Sequence, residues 1–147
     1  MKKIILITGA TSGFGKAIAY EFAKHGHNII ITGRRLERLE HIKEEIEQKF
    51  NVDVLNLNFD IRDKKITTNI ISQLEFKWKK IDILINNAGL ARGIDTIENG
   101  HTNDWDEMID TNLKGLLYIS KEVINLMIKN KKGHIINMGS TAGKDTY

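Results

Sequence analysis

The 147-residue sequence contains no cysteine and no proline. Without cysteine there are no disulfides, no thiolate zinc or iron–sulfur ligands and no cysteine nucleophile, and the composition suits a reducing compartment. At a usage of ~5%, about seven prolines would be ordinary. Their absence reads as a compositional bias toward Ile, Lys and Asn rather than a functional device. Long apolar runs are missing too. Ile4-Ile5-Leu6-Ile7 follows Lys2-Lys3 as in a signal peptide, but Thr8-Gly9 ends the run too early. No stretch approaches the ~18 apolar residues of a membrane span. A cytoplasmic protein with no membrane partner is predicted. Charge of one sign is also scarce, since 22 Lys+Arg against 19 Asp+Glu leave a net +3. The densest basic run, Lys129-Asn130-Lys131-Lys132, reads as a solvated helix end, where cations suit the dipole. The aromatic and groove-reading patterns of a nucleic-acid surface are lacking. The five histidines show no metal-ligand spacing with carboxylates, so no metal site is predicted.

What is present is a regular alternation of short apolar runs and longer amphipathic ones. Strands are predicted at Lys3–Thr8, Asn28–Thr32, Asp53–Asn58, Ile81–Ile85 and Gly133–Met138. Helices are predicted at Gly13–Lys24, Leu36–Lys49 and Asp63–Trp78, with Gly26 closing the first. After a long loop from Gly89 to Thr102, Asn103–Asp110 reads as a short helix with Asn103 as its N-cap, and Leu113–Lys129 as a long one. Such alternation implies right-handed βαβ crossovers, a parallel sheet and an α/β, doubly wound fold in one continuous unit. The long helix carries two apolar stripes. Leu113, Leu116, Leu117, Ile124, Met127 and Ile128 form one; Ile119, Val123 and Leu126 form the other. One face should pack on the sheet, and the other calls for a further helix or a second subunit. Trp78 and Trp105 read as packing residues.

Between the first strand and helix lies Thr8-Gly9-Ala10-Thr11-Ser12-Gly13-Phe14-Gly15, a Gly-x-x-x-Gly-x-Gly loop. Gly9 and Gly13 would let the backbone turn and approach a pyrophosphate, and Gly15 would let helix and strand pack closely. Thr11, Ser12 and Phe14 lie on the same loop, at a helix N-terminus whose free N–H groups suit an anion. The end of the second strand selects the dinucleotide. A free ribose 2′-hydroxyl is usually held by an acid there. This sequence instead has Arg34 and Arg35, with no acid until Glu37. Two guanidinium groups match a 2′-phosphate in charge and in bidentate geometry, which favours NADP(H) over NAD(H).

Four further segments complete a pattern that resembles the short-chain dehydrogenase/reductase family over essentially the whole chain. They are Asp60-Ile61-Arg62, Asn86-Asn87-Ala88-Gly89, Thr111-Asn112-Leu113-Lys114-Gly115 and Asn137-Met138-Gly139-Ser140-Thr141-Ala142-Gly143. The resemblance implies an adenine contact at Asp60 and Ile61, a cofactor border at Asn87, Ala88 and Gly89, and a catalytic Asn and Ser at Asn112 and Ser140. Three stretches are similar to the NADP-dependent 3-hydroxy acid dehydrogenases that oxidise serine or L-allo-threonine. They are Asn87 to Ala91, Asp104 to Asn112, and Gly139 to Gly143. In this family a Tyr exchanges the substrate's hydroxyl proton while a Lys four residues on lowers its pKa, as a phenol of pKa ≈ 10 requires.

That Tyr-x-x-x-Lys is not found, and Tyr147 stands only seven positions after Ser140. Tyr147 therefore reads as a structural or substrate-loop residue. On this reading residues 1–147 form a single dinucleotide-binding domain with five strands, truncated before the later strands and helices. Two expectations follow. Either the chain is the N-terminal part of an NADP-dependent dehydrogenase of a small-molecule substrate, a dimer or tetramer when complete, or it is an inactive nucleotide-binding or interaction module. Ser140 has no His partner and no Gly-x-Ser-x-Gly elbow, which argues against a hydrolase.

Overall fold

Branched aliphatic residues dominate the short apolar runs, and in the computed structural model, which describes residues 2–93 and 95–144, each run is a strand, buried in the middle of the sheet and partly exposed in the last, at its edge. The strands are β1 (Ile4–Ile7), β2 (Asn28–Gly33), β3 (Val54–Asn58), β4 (Ile83–Asn86) and β5 (His134–Asn137). They form one parallel sheet in the order β3-β2-β1-β4-β5. Alternation along the strands feeds two cores. Ile5, Ile7, Ile29, Ile31, Val54 and Ile85 face α1 (Gly13–Lys24) and α2 (Leu36–Lys49), meeting Ala19, Ala23, Leu39, Ile42 and Ile46. Leu6, Ile30 and Leu84 face the opposite layer, α3 (Lys64–Ser72) and α5 (Leu116–Lys129), meeting Ile71, Ile119 and Val123. The fold is the doubly wound α/β arrangement that the alternation implied.

The first two helices keep their predicted limits; the later ones differ. The predicted helix Asp63–Trp78 ends at Ser72. Asp63 caps it, its carboxylate accepting from the Ile66 N–H at 2.9 Å. At the other end the Ser72 hydroxyl donates to the Asn69 carbonyl at 2.8 Å, competing with the helical ladder. A separate 3₁₀ turn, Phe76–Lys79, then buries Trp78. The short helix α4 (Thr102–Ile109) starts at His101, so Asn103 lies inside it and is not its N-cap. No break separates α4 from α5: Asp110–Gly115 is a π-helical turn joining them. On α5 the buried face is Ile119, Val123 and Met127, which moves Met127 out of the stripe assigned to it. Leu113, Leu117, Ile124 and Ile128 remain exposed. Trp105 packs on Gly100, where a Cβ would fall 2.6 Å from the ring. No helix among the described residues is long and apolar enough to cross a membrane. Tyr147 lies outside the described residues.

Two helices end in the same motif. After α1, Gly26 N–H bonds Ala23 and His27 N–H bonds Phe22; after α5, Lys131 N–H bonds Ile128 and Lys132 N–H bonds Met127. The motif needs a left-handed residue, Gly26 at φ +78° and Lys131 at φ 54°. A left-handed side-chain-bearing residue costs roughly 1–2 kcal/mol, partly offset by the entropy glycine loses. Lys131→Gly should therefore raise stability by roughly 0.5–1 kcal/mol in a urea titration. A lower midpoint would contradict this description of the α5 end.

Candidate functional site

Because every strand is parallel, all five carboxyl ends lie on one edge of the sheet, and four of them border an open cavity of about 580 Å³. That is within the roughly 300–1,000 Å³ of small-molecule sites. The loop after β1 contributes Gly9, Thr11, Ser12 and Phe14. The end of β2 contributes Arg34 and Arg35, the segment after β3 Asp60 and Ile61, and the segment after β4 Asn87, Ala88 and Gly89. Of the residues singled out in the sequence, these eleven line one space. Gly13 and Gly15 support it from within the loop and α1. Asn112 sits behind Leu90, and Ser140 stands apart at the end of β5.

The glycines divide their work. A Cβ on Gly9 would fall 2.8 Å from Ala88 Cα, and one on Gly15 would fall 2.5 Å from the Asn87 amide nitrogen. Both are demanded by the close passage of the loop against the start of the β4–α4 connection. Gly13 takes φ +55° with nothing within 4 Å of where a Cβ would stand, so its demand is conformational. Gly33, not singled out in the sequence, faces Thr11, whose methyl would lie 2.5 Å from an added Cβ.

Thr8, also missed, joins the loop to β4. Its hydroxyl accepts from the backbone N–H groups of Asn87 and Ala88, both at 3.0 Å, and donates to the Ile85 carbonyl at 3.4 Å. The Asn87 amide donates back to the Thr8 and Gly9 carbonyls at 2.9 and 3.1 Å. Asn86 turns the other way, donating to Ser120 Oγ and Asn137 Oδ1 at 2.8 and 2.9 Å and so tying β4 to α5 and β5.

The two arginines have different settings. Arg35 spans the glycine loop, donating to Thr11 Oγ1 and to Ser12 Oγ at 3.1 Å. Ser12 consequently does not cap α1 with its side chain, and the first turn of α1 carries no acid. Among the described residues the N-terminal N–H groups of α1 thus meet no side-chain acceptor, which suits a phosphate. Arg34 instead lies 3.8 Å from Asp60 and 4.0 Å from Glu107. Arg62 pairs with Asp60 through both side-chain oxygens, from Nε at 3.0 Å and Nη2 at 2.6 Å. Burial pulls the Asp60 carboxyl upward, but hydrogen bonds from the Arg62 side chain and backbone outweigh it and hold the group below the usual carboxylate range.

Asn112 occupies the π-helical turn and is held face to face with Leu90. Its Oδ1 accepts from the Leu90 N–H at 2.9 Å and its Nδ2 donates to the Leu90 carbonyl at 2.8 Å. Ser140 Oγ accepts from the Ala142 N–H at 3.2 Å, shaping its own turn. Glu107, reached by no sequence signal, binds Arg62 and Arg92 at 3.0 and 2.9 Å.

The sheet order and the glycine loop between β1 and α1 are those of the doubly wound dinucleotide-binding folds. The chain belongs to the short-chain dehydrogenase family, which it matches over residues 3–147. It is 44% identical over 144 residues to the NADP-dependent 3-hydroxy acid dehydrogenase YdfG of Salmonella typhi, covering 98% of this chain and 56% of that protein. It is 43% identical over 148 residues to sulfoacetaldehyde reductase 2 of Chromohalobacter salexigens, covering 100% of this chain and 58% of that protein. It also resembles the closed form of serine dehydrogenase complexed with NADP+, with a TM-score of 0.89 and 44% identity over 98% of this chain and 56% of that one. The chain thus spans a little over half the length of these relatives.

Thr8→Val should cost on the order of 1–3 kcal/mol, because two half-buried N–H groups lose their acceptor, and Thr8→Ser should restore most of it. Denaturant titration reads both; a valine variant as stable as the native protein would refute the Thr8 junction. The Asp60 pair carries a pH signature. Its folded pKa lies below the unfolded one, so its contribution is complete above about pH 4 and fades as pH falls through the lower folded value. The stability gap between the native protein and Asp60→Asn should be widest near neutrality and narrow in acid. A gap that does not vary with pH would remove the pairing as its cause.

Proposed function

We propose that this chain is the NADP(H)-binding domain of an oxidoreductase that moves hydride between the nicotinamide and a hydroxyl or carbonyl of a small 3-hydroxy acid, such as serine or L-allo-threonine. The observation that carries the reading is the guanidinium pair Arg34 and Arg35 on the cavity wall at the end of β2, where a free ribose hydroxyl would call for an acid. The names of the YdfG and serine dehydrogenase relatives support the same cofactor and substrate class. The bound nicotinamide would supply the hydride chemistry.

The chain's own residues bind and orient. Gly9, Thr11, Ser12, Gly13, Phe14 and Gly15 would hold the pyrophosphate against the start of α1, and Arg34 and Arg35 the 2′-phosphate. Asp60 and Ile61 would hold the adenine, and Asn87, Ala88 and Gly89 the ribose side of the nicotinamide. Ser140 would position the substrate oxygen at the end of β5. Asn112 would hold a water of the proton relay: with Leu90 taking one N–H and one lone pair, a second of each is left. The exposed row Leu113, Leu117, Ile124 and Ile128 supports self-association of the complete protein, and the lack of cysteine supports a reducing, cytoplasmic setting.

Arg34→Asp should weaken NADP binding by about tenfold to a hundredfold, by loss of a charge-assisted contact, and improve NAD binding relative to it. Fluorescence titration with both dinucleotides reads the switch, and unchanged NADP affinity would defeat the assignment. With the natural gene product, serine-dependent formation of NADPH is the expected activity. Tight NADP binding with no turnover on any small hydroxy acid would favour a nucleotide-binding module.

A further inference from the structure

We propose that Glu107 sets how strongly this pocket favours a ligand bearing a 2′-phosphate, by placing a negative charge beside the arginine that would receive it. The inference rests on the reading of Arg34 given above. Glu107 projects from α4, is three-quarters buried, and lies behind the cavity wall rather than on it. Three guanidinium groups and two carboxylates meet there: Arg34, Arg62 and Arg92 with Asp60 and Glu107.

The distances separate tight partners from a loose one. Glu107 holds Arg62 at 3.0 Å and Arg92 at 2.9 Å. Arg34 stands 4.0 Å from Glu107 and 3.8 Å from Asp60, both beyond hydrogen-bond reach, and its side chain is half exposed. Arg34 is therefore attracted by the acids but not bonded to them, and can turn to an incoming phosphate. Glu107 is not what places it. The backbone ahead of Arg34 is fixed by β3, with the Gly33 carbonyl accepting from Phe59 N–H at 3.1 Å and from Asn58 Nδ2 at 3.0 Å. Nor does Arg62 depend on Glu107, since Asp60 already engages its Nε, Nη2 and backbone N–H.

The effect of Glu107 on a phosphate at Arg34 is then mainly Coulombic repulsion, reduced by Arg92 on its far side. A ligand with a free 2′-hydroxyl brings no charge to that spot and is indifferent to it. Two substitutions consequently have opposite signs. Glu107→Gln removes the repulsion, whereas Arg92→Gln removes the cation that offsets it.

The test is isothermal titration of the protein and both variants at low salt with two adenosine probes, 2′,5′-ADP and 5′-AMP. Glu107→Gln should tighten 2′,5′-ADP by on the order of threefold to tenfold, with the gain shrinking as salt is raised. Arg92→Gln should weaken the same probe, and 5′-AMP should bind all three proteins alike. Weaker 2′,5′-ADP binding by Glu107→Gln, or an equal change for both probes, would make Glu107 a structural strut and overturn the inference. Should Glu107→Gln fail to fold, an unchanged probe ratio in Arg92→Gln overturns it just as well. Native protein that binds the two probes equally would show that Arg34 does not receive the phosphate, and the inference would fall with that reading.

Discussion

Where β1 ends, the sheet can no longer satisfy the backbone that leaves it, and the Thr8 hydroxyl takes over. It gathers the N–H groups of Asn87 and Ala88, while the Asn87 amide answers the Thr8 and Gly9 carbonyls. Buried backbone groups must find partners somewhere. By finding them in each other, the loop after β1 and the connection after β4 are drawn to van der Waals contact. That closeness is why Gly9 and Gly15 admit no side chain. It also aims the start of α1 into the cavity, with Arg35 closing over the loop hydroxyls. Loosening this junction would loosen the cavity's floor.

The remainder of the cavity is governed by charge. Arg35 is committed to the loop, Arg62 to Asp60, and Arg92 to Glu107, leaving Arg34 as the arginine of this group held by no hydrogen bond to another side chain among the described residues. The two carboxylates keep Arg62 and Arg92 ordered at a half-exposed rim that carries net positive charge. Directly after α4, the π-helical turn at Asp110–Gly115 brings Asn112 round to pin Leu90, so the long connection after β4 is anchored beside the cavity. Such turns inside helices recur at functional sites because they displace one residue from the regular ladder.

The two-sided core explains why the chemistry collects at the sheet's edge. Both sheet faces are covered by helices, and the strand residues packed in the two cores are aliphatic. Polar groups collect where strands end and connections begin, and parallel strands bring those carboxyl ends together. The same logic leaves α5 with one face on the sheet and another row, Leu113, Leu117, Ile124 and Ile128, in solvent.

Much of this was legible in the order of residues. The strands, the limits of α1 and α2, and the glycine loop are local signals: short Ile-rich runs, heptad-like spacing and a Gly at the turn. The arginine pair after β2 was equally plain, since its charge needs no fold to be read. Other features were set by neighbours far along the chain. Leu74 and Trp78 continue the spacing of α3, yet the chain leaves the helix at Ser72 and re-enters the core through a 3₁₀ turn. A period of 3.6 cannot disclose a π-helical turn, so α4 and α5 looked separate. Thr8 resembled any strand-ending residue, and Glu107 any solvated acid on a helix. Hydrophobic pattern and glycine placement are properties of the chain itself, and they determined the class of fold and where the cavity opens. Which hydroxyl receives which N–H, and which arginine is left free, depends on distances between residues dozens of positions apart, and only tertiary packing sets those.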